Sequence, residues 1–185
     1  MVDRRTLRRL LIGAALALAL GAVCGVLLRE PLVEWGGGFI DRFGLAGLFL
    51  GTLITDSSLL PLTNEPLVLL AISGGTSPWT AFAVTSTASV LAGPLGWALG
   101  RLVARRTPLG LWLHRRYPDV AALLARRGAR FVAVAALLPF PFAVSTWLAG
   151  ATDVPLAPLL LASLLRVPKT AFYVALLTGG WALGG

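Results

Sequence analysis

Charge is what this sequence has least of. Only 13% of its 185 residues are Asp, Glu, Lys or Arg, about half the share usual in soluble domains. Hydrophobic residues make up 57%, and the mean hydropathy is +0.83. Soluble classes are thereby excluded and an all-α integral membrane protein is expected, with one domain as the economical count. Cysteine is nearly absent: Cys24 stands alone, which excludes an intrachain disulfide and a thiolate metal cluster. His114 is the single histidine and sits among arginines. A His-based metal site or a Ser-His-Asp triad is therefore not expected. There is no phosphate-binding glycine loop and no HExxH motif. With no nucleophile–base pair in sight, the chain is not expected to be an enzyme, and no cofactor or metal is expected.

The basic residues that are present are concentrated. Arg4, Arg5, Arg8 and Arg9 open the chain, eight arginines follow between Arg101 and Arg130, and no Lys or Arg occurs from Phe43 to Gly100. A net charge of +8 in a soluble protein would suggest nucleic acid. This clustering is instead what the positive-inside rule produces, so no nucleic-acid partner is expected. It puts the N-terminus and residues 101–130 in the cytoplasm. The arginine loop would also attract anionic headgroups. Residues 10–28 form an apolar run long enough to span a bilayer. That run reads as an uncleaved signal anchor, because Val23 precedes Cys24 where a lipoprotein site needs a small residue. The chain thus divides into an anchor helix with an outer loop over 1–42 and a membrane domain over 43–185.

Parity constrains that domain. The clean apolar block 78–100 ends in the cytoplasmic loop and so begins on the far side, where the anchor also emerges. Block 43–75 must then leave and return on one side, yet its length falls short of two crossings of about 20 residues plus a turn. A re-entrant hairpin is expected: 43–55 descends, 56–66 turns, 67–75 returns. Pro61 and Pro66 mark its break. Block 131–150 repeats the pattern. "LLPLTNEPLVLLAISGGTSPWTAF" (59–82) lies on "LLPFPFAVSTWLAGATDVPLAPL" (137–159), and Pro139 and Pro141 mark the second break. The second copy starts from the cytoplasm, so the two hairpins oppose each other in an inverted repeat, an architecture that places transport sites where broken helices meet. From Pro118 the arginine loop reads as an amphipathic helix on the membrane surface.

Four residues are candidates for substrate or ion binding. Asp56 and Glu65 lie in the first broken block, where an inserted carboxylate costs roughly 2.5–3.5 kcal/mol. They read as a proton or cation site, or as a headgroup contact; the plain alternative is a shallow hairpin whose acids face outside water. Arg166 and Lys169, three residues apart, share a helix face. They read as cationic partners for Asp56 or Glu65 or for a lipid phosphate, the alternative being snorkelling to the cytoplasmic side. Pro168 is expected to kink their helix. Ser57, Ser58, Ser73, Ser86, Ser89 and Ser145 read as packing residues, and Trp79, Trp112, Trp147 and Trp181 as interface anchors.

These stretches resemble the DedA family, also called VTT-domain or SNARE-associated Golgi proteins, over about residues 45–180. "LLPLTNEPLVLLAISGG" is similar to the family's proline-flanked acidic hairpin, with Glu65 at the acidic position and Asp56 as the upstream acid. "GARFVAVAALLPFPFAVSTWLAGA" is similar to its second hairpin. "SLLRVPKTAFYVALLTGG" is similar to the closing helix, with Arg166 at the early basic position. The resemblance implies opposed re-entrant hairpins and lipid or lipid-phosphate movement of flippase or scramblase type, often tied to proton-motive force, in the bacterial inner membrane. Where the family carries two hairpin arginines, this chain has Ala136 and Phe142, so Arg166, Lys169 or Arg130 would have to substitute. Membrane lipids are the expected partners, with protons and self-association left open. The alternatives are a small-molecule or drug exporter and a non-transporting assembly factor.

Overall fold

The computed structural model describes residues 29–59, 64–104, 106–138 and 142–183. The expected anchor run 10–28 with Cys24, and the expected breaks Pro61, Pro139 and Pro141, lie outside these residues. The described chain is helical, in the order α1 (Arg29–Ser57), α2 (Glu65–Ser73), α3 (Pro78–Leu99), α4 (Pro108–Arg116), α5 (Pro118–Arg127), α6 (Ala129–Leu137), α7 (Phe142–Ala151), α8 (Leu156–Ser163) and α9 (Arg166–Leu183). Among the described residues three stretches are long and apolar enough to cross a membrane: Val33–Ser57, Pro78–Ala104 and Leu156–Gly179. Gly100–Ala104 continues α3 as a π-helical turn.

The hydropathy boundary between Arg42 and Phe43 is a bend. Gly44 has φ 56° and ψ −156° inside α1, a backbone state open to glycine because it lacks a Cβ. The interval 29–42, read from sequence as an outer loop, is instead helical. Three consecutive glycines make it poor helix on propensity, but packing overrides this. A Cβ on Gly36 would lie 2.4 Å from the Leu70 carbonyl oxygen, and one on Gly74 would lie 2.3 Å from the Gly36 oxygen. The bare backbones of α1 and α2 are therefore in contact.

Helix starts and stops follow local chemistry. Ser77 caps α3, its Oγ accepting from Thr80 N–H at 3.1 Å, and Pro78 sits in the first turn where its missing N–H is not needed. Pro66 does the same in α2, so the first break lies just ahead of it. In the closing segment the expected kink falls one turn before Pro168. The chain leaves the helix at Leu164–Leu165, because the proline ring collides with the carbonyl four residues back. The freed Leu164 oxygen accepts from Val167 N–H at 3.0 Å.

Two short helices sit inside the bundle. At 1.5 Å per residue, α2 and α7 are each about 15 Å long, half of a hydrocarbon core of about 30 Å. Every residue from Phe142 to Gly150 is buried. α7 packs along α3, and α2 packs along α1 and touches α9. The larger core gathers around α7, with Leu148, Trp147, Leu159, Val132, Leu113 and Leu124. A smaller one joins Leu48, Val68, Ala71, Ala81 and Val174. The amphipathic helix expected from Pro118 is α5; Val120 and Leu124 are buried against the larger core while Arg126 and Arg127 are exposed.

Candidate functional site

Asp56, one residue from the end of α1, is the centre of the polar cluster. Its Oδ2 accepts from Arg166 Nη2, at the start of α9, and from Ser89 Oγ, in the middle of α3. Asn64 Nδ2 adds a third donor at 3.3 Å. Arg166 Nε donates to Ser89 Oγ at 2.7 Å, so the serine hands on one hydrogen bond and receives another. The side chains of Arg166 and Asp56 are 5% and 10% exposed. Charges so enclosed persist only when paired and hydrogen-bonded. The guanidinium also stacks over the Phe142 ring, 4.7 Å from its centroid. One arginine thus joins the end of α1, the middle of α3 and the first residue of α7.

Beside the pair lies a cavity of about 20 Å³, room for one water-sized group. Asn64, Glu65 and Val68 from the α2 side line it, with Thr85 from α3. The α9 wall supplies Arg166, Lys169, Thr170, Tyr173, Val174 and Leu177, whose spacing of three and four residues is one helix face. Glu65 Oε2 and Thr85 Oγ1 are buried without a hydrogen-bond partner. Lys169 Nζ lies 5.7 Å from the Tyr173 ring centroid. All four candidate binding residues therefore meet in one region: Asp56 pairs with Arg166, and Glu65 and Lys169 share the adjoining cavity.

Two sequence readings need correction. Ser89 is no mere packing residue, because it bridges the ion pair. Nothing in its spacing marks it; only its place on α3 opposite Asp56 does. Trp147, read as an interface anchor, is buried, and its Nε1 donates to the Ser57 carbonyl oxygen at 2.7 Å. It ties α7 to the end of α1 beside the cluster. Trp79 and Trp112 do reach the surface, 81% and 50% exposed. The "GWALG" stretch (96–100) is a packing surface: Cβ atoms at Gly96 and Gly100 would press on Thr146 and Trp147 of α7 at 2.3 and 2.0 Å.

Neither a curated protein nor a solved structure matches the chain. The family model described as VTT domain matches residues 62–178. That match takes in Asn64, Glu65, Ser89, Phe142, Arg166 and Lys169, and most of the helices that carry the cluster. The broken helices, the enclosed acid–arginine pair and the extent of this match lead to one assignment: the chain is a membrane protein of the VTT-domain family, the DedA and SNARE-associated Golgi group.

Proposed function

We propose that this protein moves a membrane lipid or lipid phosphate between leaflets, as a flippase- or scramblase-like transporter. The observation that carries the reading is the enclosed Asp56–Ser89–Arg166 cluster opening beside a cavity that holds Glu65 and Lys169. Polar machinery at that depth is costly in a membrane and marks a path for a polar guest. In this reading α1 with α2, and α6 with α7, are two hairpins dipping into the bilayer from opposite faces. Support comes from the shortness of α2 and α7 and from their cross-packing: α7 lies on α3 of the first half, and α2 touches α9 of the second. The N-terminus and the arginine-rich segment 101–130 then face the cytoplasm at the bacterial inner membrane. Headgroup passage would exchange contacts with Arg166 and Lys169 while acyl chains stay in lipid.

The test is leaflet transfer in reconstituted vesicles. Acyl-labelled fluorescent lipid quenched from outside should lose its inner-leaflet signal faster with protein than without. Equal rates would end the reading. With Cys24 replaced, cysteine labelling at position 43, where the chain is exposed, and at position 76 should come from the same face of the membrane, whereas opposite faces would refute the first hairpin.

A further inference from the structure

The charges beside the cavity are unequally engaged. Arg166 is committed to Asp56 and Ser89. That leaves Glu65 on the α2 wall and Lys169 on the α9 wall of the same space. On the acid side two oxygens want donors: Glu65 Oε2, and the Oγ1 of Thr85, a residue only 1% exposed. An enclosed acceptor without a donor is expensive, more so when it is ionised. The space measures about 20 Å³, and the guest that suits it is water-sized and rich in N–H. An ammonium group has that size and brings three donors with a positive charge. A bare phosphate brings the wrong sign to this wall. Lys169, with its ammonium over the Tyr173 ring at 5.7 Å, offers a donor to an anion placed a few bonds from that ammonium.

We propose that this cavity is an ammonium subsite selecting a zwitterionic headgroup, in which Glu65 and Thr85 receive the amine and Lys169 the neighbouring phosphate. The proposal rests on the lipid-transfer reading and narrows it to one substrate class. Charge bookkeeping favours it: Asp56 with Arg166 and Glu65 with Lys169 sum to zero, so a guest of zero net charge leaves the enclosed region neutral, whereas an anion would not.

The experiment is thermal unfolding of the purified full chain in detergent micelles supplied with phosphatidylethanolamine or phosphatidylglycerol. The ethanolamine lipid should stabilise at roughly tenfold lower concentration, the scale of one charge-assisted hydrogen bond. Glu65→Gln should erase that preference and Thr85→Val should weaken it, while Lys169→Gln should weaken both lipids and keep the preference. Soluble phosphoethanolamine serves as a second arm. Stabilisation by it, and not by glycerol phosphate, means the headgroup alone is recognised; stabilisation by the lipid alone means the acyl chains are needed. Equal stabilisation by both lipids, or a preference that survives in Glu65→Gln, overturns the proposal and leaves the cavity to water. Binding is read apart from transport. A protein that prefers the amine yet transfers no lipid refutes the transport reading alone, and one that transfers both lipids without preference refutes only the subsite.

Discussion

The two short helices are alike in length and opposite in surroundings. α7 is enclosed along its whole length to Gly150, with the largest apolar cluster around it. α2 buries only Val68 and Ala71, and its first turn faces a void lined by Glu65. One is a wedge fixed by close packing, the other a polar lip with unmet hydrogen-bonding capacity. The difference teaches that rigidity and chemistry have been assigned to different halves of the molecule. Arg166 is where they meet, since its guanidinium touches Asp56 near the end of α1 and Phe142 at the head of α7.

Substitutions can break or sharpen this contrast. Arg166→Ala removes the link and strands a buried carboxylate, so chemical denaturation in detergent should show a loss of about 3–5 kcal/mol. Combined with Asp56→Ala the total should fall well short of the sum of the two single losses. A loss of under about 1 kcal/mol for Arg166→Ala would mean water reaches the pair. Gly100→Ala should cost about 1–3 kcal/mol, because the new methyl would sit 2.0 Å from the Trp147 carbonyl oxygen and backbone cannot step aside. Near the first turn of α2, away from the Gly36–Gly74 contact, Gly51→Ala meets only the end of the Leu67 side chain, at 2.8 Å, and should cost less. If the two glycines prove equally intolerant, the contrast in rigidity is wrong.

A smaller effect is expected from Trp147→Phe, which keeps the ring packed but drops the bond to Ser57; about 1 kcal/mol of stability should go. Smallest of all should be Thr85→Val. It removes an enclosed hydroxyl that has no partner, so stability should stay within about 0.5 kcal/mol or rise. A clear destabilisation would show that the hydroxyl is satisfied by a tightly held guest.

Much of this was legible in the sequence. The proline-flanked acids gave the order helix, break, helix for the first broken block, and the likeness of 137–159 to 59–82 gave the same order for the second. The isolated charges announced a cluster, because each is costly to bury alone, but the sequence did not choose which of Asp56 and Glu65 would pair with Arg166. Ser89 and Trp147 were not legible. A serine in an apolar helix and a tryptophan near a helix end have common bland explanations, and their roles depend on long-range register across α1, α3 and α7. The helical state of 29–42 was hidden for another reason: its glycines serve contact with α2, which local propensity does not register.

Phe142 stands where the family resemblance placed an arginine, and its ring lies under the guanidinium of the one that is present. A guanidinium is a thin plate with two sides and a rim of N–H groups. The aromatic ring shields one side, and Asp56 and Ser89 occupy part of the rim. A visitor to Arg166 has the cavity side left to it, so the phenylalanine behaves as a backstop that gives the cation a front and a back.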